Sequence, residues 1–317
     1  MYQQLKEKLR TIVKENQIKT NEPMKLHTTF RIGGPADYYI TPANEAELKE
    51  VVSLCHSEKV PFYIIGNGSN LLVGDYGFHG GIIEIKDTFA EIAFSETEDR
   101  TGMIVKAGAG ILLSKMAKLA ADKSLTGFEF ASGIPGTLGG AVAMNAGAYG
   151  GEIKDAVISA KVLTMDGELK NLSKEELELS YRSSVIMKKQ YIVTEAVFQF
   201  NYGEKESILT QMKELNGRRR EKQPLEFPSA GSTFKRPEGY FAGKLIMDAG
   251  LRGFRVGDIM VSEKHCGFVV NVGNGTAAQV KELIAQVTEK VENQFGVILE
   301  PEVRLIGEFK PRQEEIT

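Results

Sequence analysis

The stretch Gly133-Ile134-Pro135-Gly136-Thr137-Leu138-Gly139-Gly140 is the densest glycine cluster in the chain. Because glycine has no Cβ, it lets backbone N–H groups approach an anion closely, and a helix over residues 137–144 would aim its positive end at a phosphate. The spacing is neither that of a Gly-x-Gly-x-x-Gly dinucleotide motif nor that of a P-loop, because no Gly-Lys-Ser/Thr follows. On its own, the segment is consistent with phosphate binding or with a packing loop.

A second glycine loop, Gly66-Asn67-Gly68-Ser69-Asn70, follows a short apolar run at residues 61–65 that is typical of a buried strand. Two such loops in one chain can clamp a diphosphate from two sides. The chain has 33 glycines among 317 residues, about 10% against an average near 7%. Seven of them fall in residues 131–151, so the excess is concentrated where a ligand is expected.

Composition excludes several functional classes. Lys and Arg number 39 against 42 Asp and Glu, a net charge of −3, which argues against a dedicated binder of nucleic acid or of a membrane surface. The two cysteines, Cys55 and Cys266, and the four histidines have no metal-ligand spacing, so we assign no disulfide and no metal. The charged residues 1–8 predict no signal peptide, and we expect a cytoplasmic protein.

Hydrophobic periodicity predicts helices and strands in an α+β arrangement. The predicted helices cover residues 5–17, 47–58, 110–122, 137–144, 173–179 and 204–221, with a further long helix capped by Thr276. The predicted strands cover residues 38–40, 61–65, 82–85, 102–107, 157–165, 168–172, 191–200, 269–272, 297–299 and 303–306. The intervals between helices hold too many strands for a plain doubly wound sheet.

An ordered set of motifs resembles the UDP-N-acetylenolpyruvoylglucosamine reductase family. Residues 66–71, 129–140 and 144–151 resemble its FAD-binding half. The resemblance continues through Tyr181-Arg182-Ser183-Ser184, Lys222-Gln223-Pro224, Gly231-Ser232-Thr233-Phe234, Phe241-Ala242-Gly243-Lys244-Leu245-Ile246 and Pro301-Glu302-Val303-Arg304. Each motif alone is weak, but the ordered set is highly specific and covers the chain from about Thr28 to Gly307.

The resemblance implies a vanillyl-alcohol-oxidase or PCMH-type FAD-binding domain in two subdomains and a smaller α+β substrate-binding domain. We expect an N-terminal helix in residues 1–25, FAD-binding subdomains at 26–86 and 87–202, a substrate-binding domain at 203–308 and a tail at 309–317. Some family members carry an inserted loop with a tyrosine after the arginine motif. The strand and helix predicted soon after Arg182 leave no room for that loop, so the chain resembles the shorter, type II form.

The implied reaction reduces the small-molecule substrate UDP-N-acetylglucosamine enolpyruvate to UDP-N-acetylmuramate, a peptidoglycan precursor, with NADPH as reductant. The FAD contacts carried over from the motifs are Gly66, Asn67, Gly68, Ser69, Asn70, Gly133, Ile134, Pro135, Gly136, Thr137, Gly139, Gly140, Asn145 and Gly147. Neither glycine loop contains Cys or His, so we expect non-covalent FAD. We expect a monomer that binds neither nucleic acid nor membrane.

The resemblance also implies three catalytic residues. A hydride leaves flavin N5 for the β-carbon of the enol ether, charge builds on the α-carbon and the carboxylate, and a proton must reach the α-carbon. By motif match, Arg182 is the cation beside the carboxylate, Ser232 the proton donor and Glu302 the third member. A guanidinium suits its role because it binds carboxylates bidentately and keeps its charge. Glu302 could hold the carboxylate as the acid or polarise a water.

The cluster Arg218-Arg219-Arg220 with Lys222 has two interpretations. It could be a solvated helix C-terminus favoured by the dipole, or it could bind the UDP diphosphate through Arg218 or Arg219 and Lys222. Lys244 and Tyr149 are further substrate candidates, and Tyr149 is our hypothesis for a lid residue.

Structural explanations exist for the catalytic candidates as well. Without the resemblance, Arg182 would be assigned to a surface ion pair, Ser232 to a turn and Glu302 to an exposed carboxylate. Two other functions stay open, a flavin oxidase with another substrate and a non-catalytic nucleotide-binding or transport protein. Flavin absorbance would exclude the latter. Ser232 and Glu302 favour the reductase over an oxidase, because an alcohol oxidase needs no proton donor to a reduced carbon.

Overall fold

The computed structural model describes residues 3–310, with side chains from residue 5 onward. The α-helices in this range are α1 (Gln3–Leu9), α2 (Glu45–Ser57), α3 (Leu113–Asp122), α4 (Leu138–Ala143), α5 (Val185–Lys189), α6 (Lys205–Lys222), α7 (Ala242–Asp248) and α8 (Ala277–Phe295). The strands are β1 (Ile18–Pro23), β2 (Pro35–Ile40), β3 (Phe62–Ile65), β4 (Leu71–Val73), β5 (Phe78–Glu84), β6 (Ile92–Glu96), β7 (Gly102–Gly108), β8 (Leu125–Thr126), β9 (Gly147–Ala148), β10 (Gly151–Glu152), β11 (Val157–Leu163), β12 (Leu169–Ser173), β13 (Ile192–Tyr202), β14 (Ser229–Ser232), β15 (Arg255–Val256), β16 (Ile259–Val261), β17 (Phe268–Asn271) and β18 (Arg304–Ile306).

The chain divides into two compact units. The first contains the described residues of Met1–Lys19, Tyr39–Asn67 and Gly81–Arg219, and the second those of Thr20–Tyr38, Gly68–Gly80 and Arg220–Thr317. The five-part division expected from the sequence stays a prediction. Residues 311–317 of the expected tail lie outside the described range.

An antiparallel sheet in the order β12-β11-β13-β7-β6 forms the centre of the first unit. Strand β13 is its middle strand and also pairs with β8. Helix α4 packs on β13, which places the glycine cluster that precedes α4 beside the sheet. Phe128 fills the core next to β13, with its ring centroid 5.7 Å from that of Phe198 and 5.5 Å from that of Phe200. The cluster is therefore attached to a rigid, apolar support.

The predicted strand–helix–strand arrangement in residues 38–65 is confirmed by β2, α2 and β3. Helix α2 is capped by Asn44, whose side chain accepts the Glu47 N–H at 2.9 Å, a normal N-cap bond. It buries Leu48, Val51, Val52 and Cys55, as its apolar spacing predicts. Strands β3 and β5 pair in parallel within a sheet of order β1-β2-β5-β3. The first glycine loop starts directly after β3.

The second unit has an antiparallel sheet in the order β14-β17-β16-β15. Its core is covered by α8, which buries Ala277 and five larger side chains at helical spacing: Val280, Leu283, Ile284, Val287 and Val291. Burial of each such side chain contributes about 1.5–3 kcal/mol. In a separate parallel pair, β4 aligns with β18 so that Leu71 lies opposite Arg304. The residues just before these two strands therefore lie side by side.

Several sequence predictions are wrong or incomplete. No helix forms at residues 173–179, where the chain makes a turn that ends at Glu178 in the left-handed region (φ 47°). Residues 297–299 form no strand. The helix expected over residues 5–17 is divided into α1 and a short 3-10 segment at Glu15–Gln17. Helices α5 and α7 and strand β6 were not predicted, since segments this short carry little periodicity.

Within residues 3–310, no helix combines the length and the apolarity that crossing a bilayer requires. The same described part of the chain contains no group of three or more His, Cys, Asp or Glu side chains placed to hold a metal ion.

Asp75 is predicted to stabilise the second unit through the N-terminus of α8. Its carboxylate accepts the N–H groups of Ala277 at 2.7 Å and Ala278 at 2.8 Å, where a negative charge also interacts favourably with the helix dipole. We expect Asp75→Ala to lower the free energy of unfolding by about 1–2 kcal/mol, measured by urea denaturation. Glu289→Ala, on the exposed side of the same helix, is the control. Equal losses in the two variants would contradict the capping role.

Candidate active site

The two glycine loops meet in the first unit. The side-chain amide of Asn67 donates to the Pro135 carbonyl at 2.7 Å. A Cβ at Gly66 would lie only 2.0 Å from Thr137 Oγ1 and 3.0 Å from Thr137 Cβ, and Thr137 is itself buried. Any side chain at position 66 would therefore clash with Thr137, and only glycine fits there. The approach of the two loops that the sequence suggested is confirmed.

A backbone ladder holds the glycine cluster against residues 109–113. Leu113 N–H donates to Gly136 O at 3.0 Å, and Gly139 N–H donates to Ala109 O at 2.8 Å. Among the described residues, the N–H groups of Asn67, Gly136 and Thr137 make no hydrogen bond, so they are available to an anionic ligand. Helix α4 has only six residues, so these loop amides, more than its dipole, suit the cluster to a phosphate.

The rest of the first loop, Gly68 to Asn70, belongs to the second unit. Gly68 has φ 59°, and a Cβ there would lie 2.0 Å from the His27 carbonyl oxygen. The Asn70 side chain donates to Glu302 O at 3.3 Å, and Arg304 N–H donates to Asn70 O at 3.0 Å. The predicted cofactor residue Asn70 therefore lies beside the predicted catalytic residue Glu302.

Asn145 connects the loop after α4 to the turn that carries Arg182. It is fully buried, and its side-chain N–H groups donate to Glu152 Oε2 at 2.9 Å and to Ser180 O at 3.1 Å. Its Oδ1 accepts the Lys154 N–H at 2.9 Å. A buried amide with three partners fixes the relative position of its neighbours. The predicted contact of Asn145 with the cofactor stays a prediction; in the structure its side chain connects the loop after α4 to the turn that carries Arg182.

Arg182 lies at the tip of a tight turn closed by the Ser180–Ser183 bridge. Its backbone is left-handed (φ 52°), and Ser184 both caps α5 and donates to Ala143 O. The half-buried guanidinium reaches Gly147 O at 3.5 Å and lies near Glu152. Lys154, the Asn145 amide and Arg182 together hold the pKa of Glu152 below its usual range. Between this turn and α6 the chain forms only α5 and β13, with no inserted loop.

Ser232 and Glu302 come together in the second unit. Ser232 is exposed at the end of β14, after a bulge at which Gly231 has φ 79°. The next residue, Thr233, is buried, accepts the Val269 N–H at 2.9 Å through Oγ1 and accepts the Glu302 N–H at 2.8 Å through its carbonyl. The backbones that carry the two predicted catalytic residues are therefore directly hydrogen-bonded neighbours.

The basic residues at the end of α6 differ in their surroundings. Arg218 is exposed and lies 4.0 Å from Glu214. Arg219 is half-buried, and its Cδ would lie 3.2 Å from a Cβ at Gly133, so it packs against the glycine cluster. Burial lowers the pKa of Arg219, and the nearby Tyr149 phenol acts in the opposite direction. Of the alternatives left open by the sequence, Arg219 is the one that faces a predicted cofactor loop.

The remaining candidates are accessible. Lys222 is exposed at the end of α6. Lys244 forms an ion pair with Asp248 one helical turn later in α7, which a substrate would have to replace. Tyr149 is 46% exposed and left-handed (φ 54°). The predicted contacts Ile134 and Gly140 lie in the glycine cluster, and Gly147 lies in β9.

Asn216 is a residue of the site that sequence reasoning missed. Its side-chain N–H donates to Ser132 Oγ at 3.1 Å, and Ser132 Oγ in turn donates to Glu129 O at 2.8 Å. Asn216 and Arg219 are three residues apart, so they share a face of α6, and both lie against Gly133. The three-residue spacing between Asn216 and Arg219 was the feature of the sequence that could have indicated Asn216 as a site residue.

Comparisons with known proteins agree along most of the chain. A family model described as "FAD binding domain" matches residues 36–173. A second, described as "UDP-N-acetylenolpyruvoylglucosamine reductase, C-terminal domain", matches residues 223–306.

Relatives with the same description extend this similarity over more than nine-tenths of the chain. The UDP-N-acetylenolpyruvoylglucosamine reductase of Lachnoclostridium phytofermentans is 56% identical over 95% of this chain and 97% of its own length. That of Agathobacter rectalis is 58% identical over 91% and 94%. The crystal structure of the Thermus caldophilus reductase superposes with a TM-score of 0.75 at 37% identity, covering 90% of this chain and 97% of that one. The expected α+β FAD-binding fold with a smaller C-terminal domain is confirmed.

The close contact at Gly66 is expected to be essential for stability. Gly66→Ala places a methyl group where Thr137 Oγ1 stands, and such overpacking costs about 1–3 kcal/mol. We expect this loss in the free energy of unfolding from urea denaturation. Removing the hydroxyl as well, in Gly66→Ala/Thr137→Ala, should make the double variant more stable than the sum of the single effects predicts.

Gly217→Ala is the matched control for this prediction. Gly217 lies within α6 with open space around its Cα, so the change should raise stability by about 0.5–1 kcal/mol. A strictly additive double variant, or a Gly66→Ala protein as stable as the parent, would contradict the steric role of Gly66.

Proposed function

This chain belongs to the UDP-N-acetylenolpyruvoylglucosamine reductase family, and we propose that it reduces UDP-N-acetylglucosamine enolpyruvate to UDP-N-acetylmuramate for peptidoglycan precursor synthesis. FAD is its cofactor and NADPH its reductant. When bound, FAD would supply the hydride that reduces the enol ether. The residues of the two glycine loops hold the FAD without a covalent bond, their free N–H groups donating to its diphosphate.

Arg182 binds the substrate carboxylate in this proposal. Charge grows on that carboxylate during the reaction, and a fixed cation lowers the barrier only if it does not have to reorganise. Support comes from the turn around Arg182, which is tied to the loop after α4 through Asn145 and Ser184. The half-buried guanidinium is therefore fixed in position before the substrate binds.

Ser232 donates the proton to the α-carbon. Thr233 uses its hydroxyl within the sheet, whereas the Ser232 hydroxyl is on the exposed side of the strand, because successive side chains alternate between faces. A serine hydroxyl is weakly acidic, and it can act as donor because the α-carbon becomes strongly basic once the hydride has arrived. Glu302 is the third catalytic group, with its backbone fixed by Thr233 and Asn70.

The observation that carries the proposal is the pairing of Ser232 and Glu302. The 2.8 Å hydrogen bond from Glu302 N–H to Thr233 O joins the two motifs, about 70 residues apart, that carry the proposed proton donor and the third catalytic group. An oxidase acting on an alcohol needs a base and no proton donor to carbon. Arg219, Lys222, Lys244 and Tyr149 are proposed to bind the UDP-sugar, with Arg219 on the diphosphate and Tyr149 as the lid.

Ser232→Ala is expected to separate the two half-reactions. The variant should bind FAD and be reduced by NADPH at the parent rate, because the hydroxyl has no part in that step. Reoxidation by the enolpyruvyl sugar should slow by about 10²–10⁴-fold, the usual contribution of a general acid. Anaerobic stopped-flow absorbance of the flavin measures both rates. Ser229→Ala, in the same strand, should match the parent, and normal reoxidation of Ser232→Ala would refute the assignment.

Arg219 and Arg220 provide a second comparison. We expect Arg219→Ala to raise the KM for the UDP-sugar roughly tenfold to a hundredfold, because a charge-assisted hydrogen bond contributes about 1.5–3 kcal/mol. Arg220→Ala removes the same charge from the exposed side of the helix and should change KM less than about threefold. Steady-state kinetics at constant ionic strength distinguish the two. Equal effects would show that only the overall charge of the cluster matters.

A further inference from the structure

His265 lies in the turn between β16 and β17 with one ring nitrogen already occupied. Its Nδ1 accepts the Gly267 N–H at 3.1 Å, and its ring contacts the edge of Phe268 with centroids 5.1 Å apart. Its own N–H donates to Ser262 Oγ at 3.2 Å, and its carbonyl accepts the Phe268 N–H at 2.9 Å. The turn therefore fixes the orientation of the ring.

The tautomer of His265 follows from these contacts. Partial burial of the imidazole lowers its pKa, which favours the neutral ring near pH 7. In a neutral imidazole one nitrogen accepts and the other donates. Because Nδ1 accepts from Gly267, the proton is on Nε2, and Nε2 has no hydrogen-bond partner among residues 3–310. Nε2 is not among the buried side-chain atoms that lack a partner in the described part of the chain, so its N–H is accessible and can donate to a ligand.

Two glycines make room for the ring. A Cβ at Gly267 would lie 2.9 Å from His265 Cε1, and a Cβ at Gly243 would lie 3.3 Å from the same atom. Gly243 directly precedes Lys244 in α7, one of the proposed substrate contacts. The edge of the His265 ring formed by Cε1 and Nε2 therefore lies beside the first turn of α7, which carries Lys244.

The same turn is connected to Ser232. Gly267 O accepts the Thr233 N–H at 2.9 Å, and Phe268 pairs with Ser232 between β17 and β14. His265 is therefore attached through two neighbouring backbone contacts to the strand that carries the proposed proton donor.

We propose that the Nε2–H of His265 donates a hydrogen bond to an anionic oxygen of the UDP-sugar, which makes His265 a further substrate-binding residue. The inference rests on the proposed function for the identity of the ligand. A neutral hydrogen-bond donor is suitable beside the start of α7 because Lys244 already supplies a positive charge to an anionic ligand there. The acceptor oxygen belongs to the diphosphate or to the carboxylate, and both have the same hydrogen-bonding chemistry.

Two amide variants of the FAD-loaded full chain test the proposal. In His265→Asn, the side-chain oxygen can replace Nδ1 and keep the Gly267 bond, but no group replaces Nε2. In His265→Gln, the terminal N–H₂ reaches the Nε2 position, but the Nδ1 acceptor is lost. Calorimetry gives the Kd of UDP-N-acetylglucosamine, which has no carboxylate, and of UDP-N-acetylmuramate, which has one. Steady-state kinetics give KM and kcat for the enolpyruvyl sugar, and thermal melts report folding.

We expect His265→Asn to weaken binding of UDP-N-acetylmuramate and to raise KM at least fivefold, with the parent melting temperature and a kcat within threefold. His265→Gln should retain binding within about threefold. A loss for both nucleotide sugars assigns the diphosphate, and a loss for UDP-N-acetylmuramate alone assigns the carboxylate.

The reverse order, in which His265→Gln is weaker and less stable than His265→Asn, would show that the ring only holds the turn and would overturn the proposal. Two variants with parent affinities would also overturn it. If the parent fails to reduce the enolpyruvyl sugar but His265→Asn still loses affinity for the UDP-sugars, the proposed function fails and the assignment of His265 stands.

Discussion

The space between Gly66 and Thr137 admits no side chain, and the arrangement of the first unit around the glycine loops depends on that contact. It lets the end of β3 meet the start of α4, so that Asn67 can reach the Pro135 carbonyl. Because α4 packs on β13, the paired loops are anchored to the main sheet. The amides that remain free, at Asn67, Gly136 and Thr137, are then held at fixed positions without help from a long helix.

The second unit also organises its reactive side chains through backbone contacts. The parallel pair β4–β18 places Asn70 next to Glu302, and β14 brings Ser232 to the same segment through the Thr233 carbonyl. The structural hydrogen bonds that fix the backbone around Ser232 and Glu302 are made by the neighbouring residues Thr233 and Asn70. At His265 the two ring nitrogens differ in a similar way: Nδ1 accepts the Gly267 N–H, and Nε2 makes no hydrogen bond within the described residues.

Sequence periodicity predicted α2 and α8 because both have an apolar face, and it also predicted Thr276 as the N-cap of α8. The Asn44 cap of α2 was found only in the structure. It failed for residues 173–179, where the chain makes a turn that ends with the left-handed backbone of Glu178, a local conformation that apolar spacing does not encode. The catalytic candidates came from motif resemblance, because Arg182 or Ser232 alone is ordinary surface chemistry. The contact of Asn216 with Ser132 spans 84 residues, and spacing could only group Asn216 with Arg219.

Asn145, Tyr149 and Arg182 all have left-handed backbones (φ 44°, 54° and 52°), a conformation that costs a side-chain-bearing residue roughly 1–2 kcal/mol and costs glycine almost nothing. Folding alone would favour glycine at Tyr149 and Arg182. The chain instead keeps there a phenol and a guanidinium, the two groups with the most to offer a ligand. Glycine at these two positions should therefore raise stability, and under the proposed function it would remove two substrate-binding side chains, so selection for stability alone would work against activity.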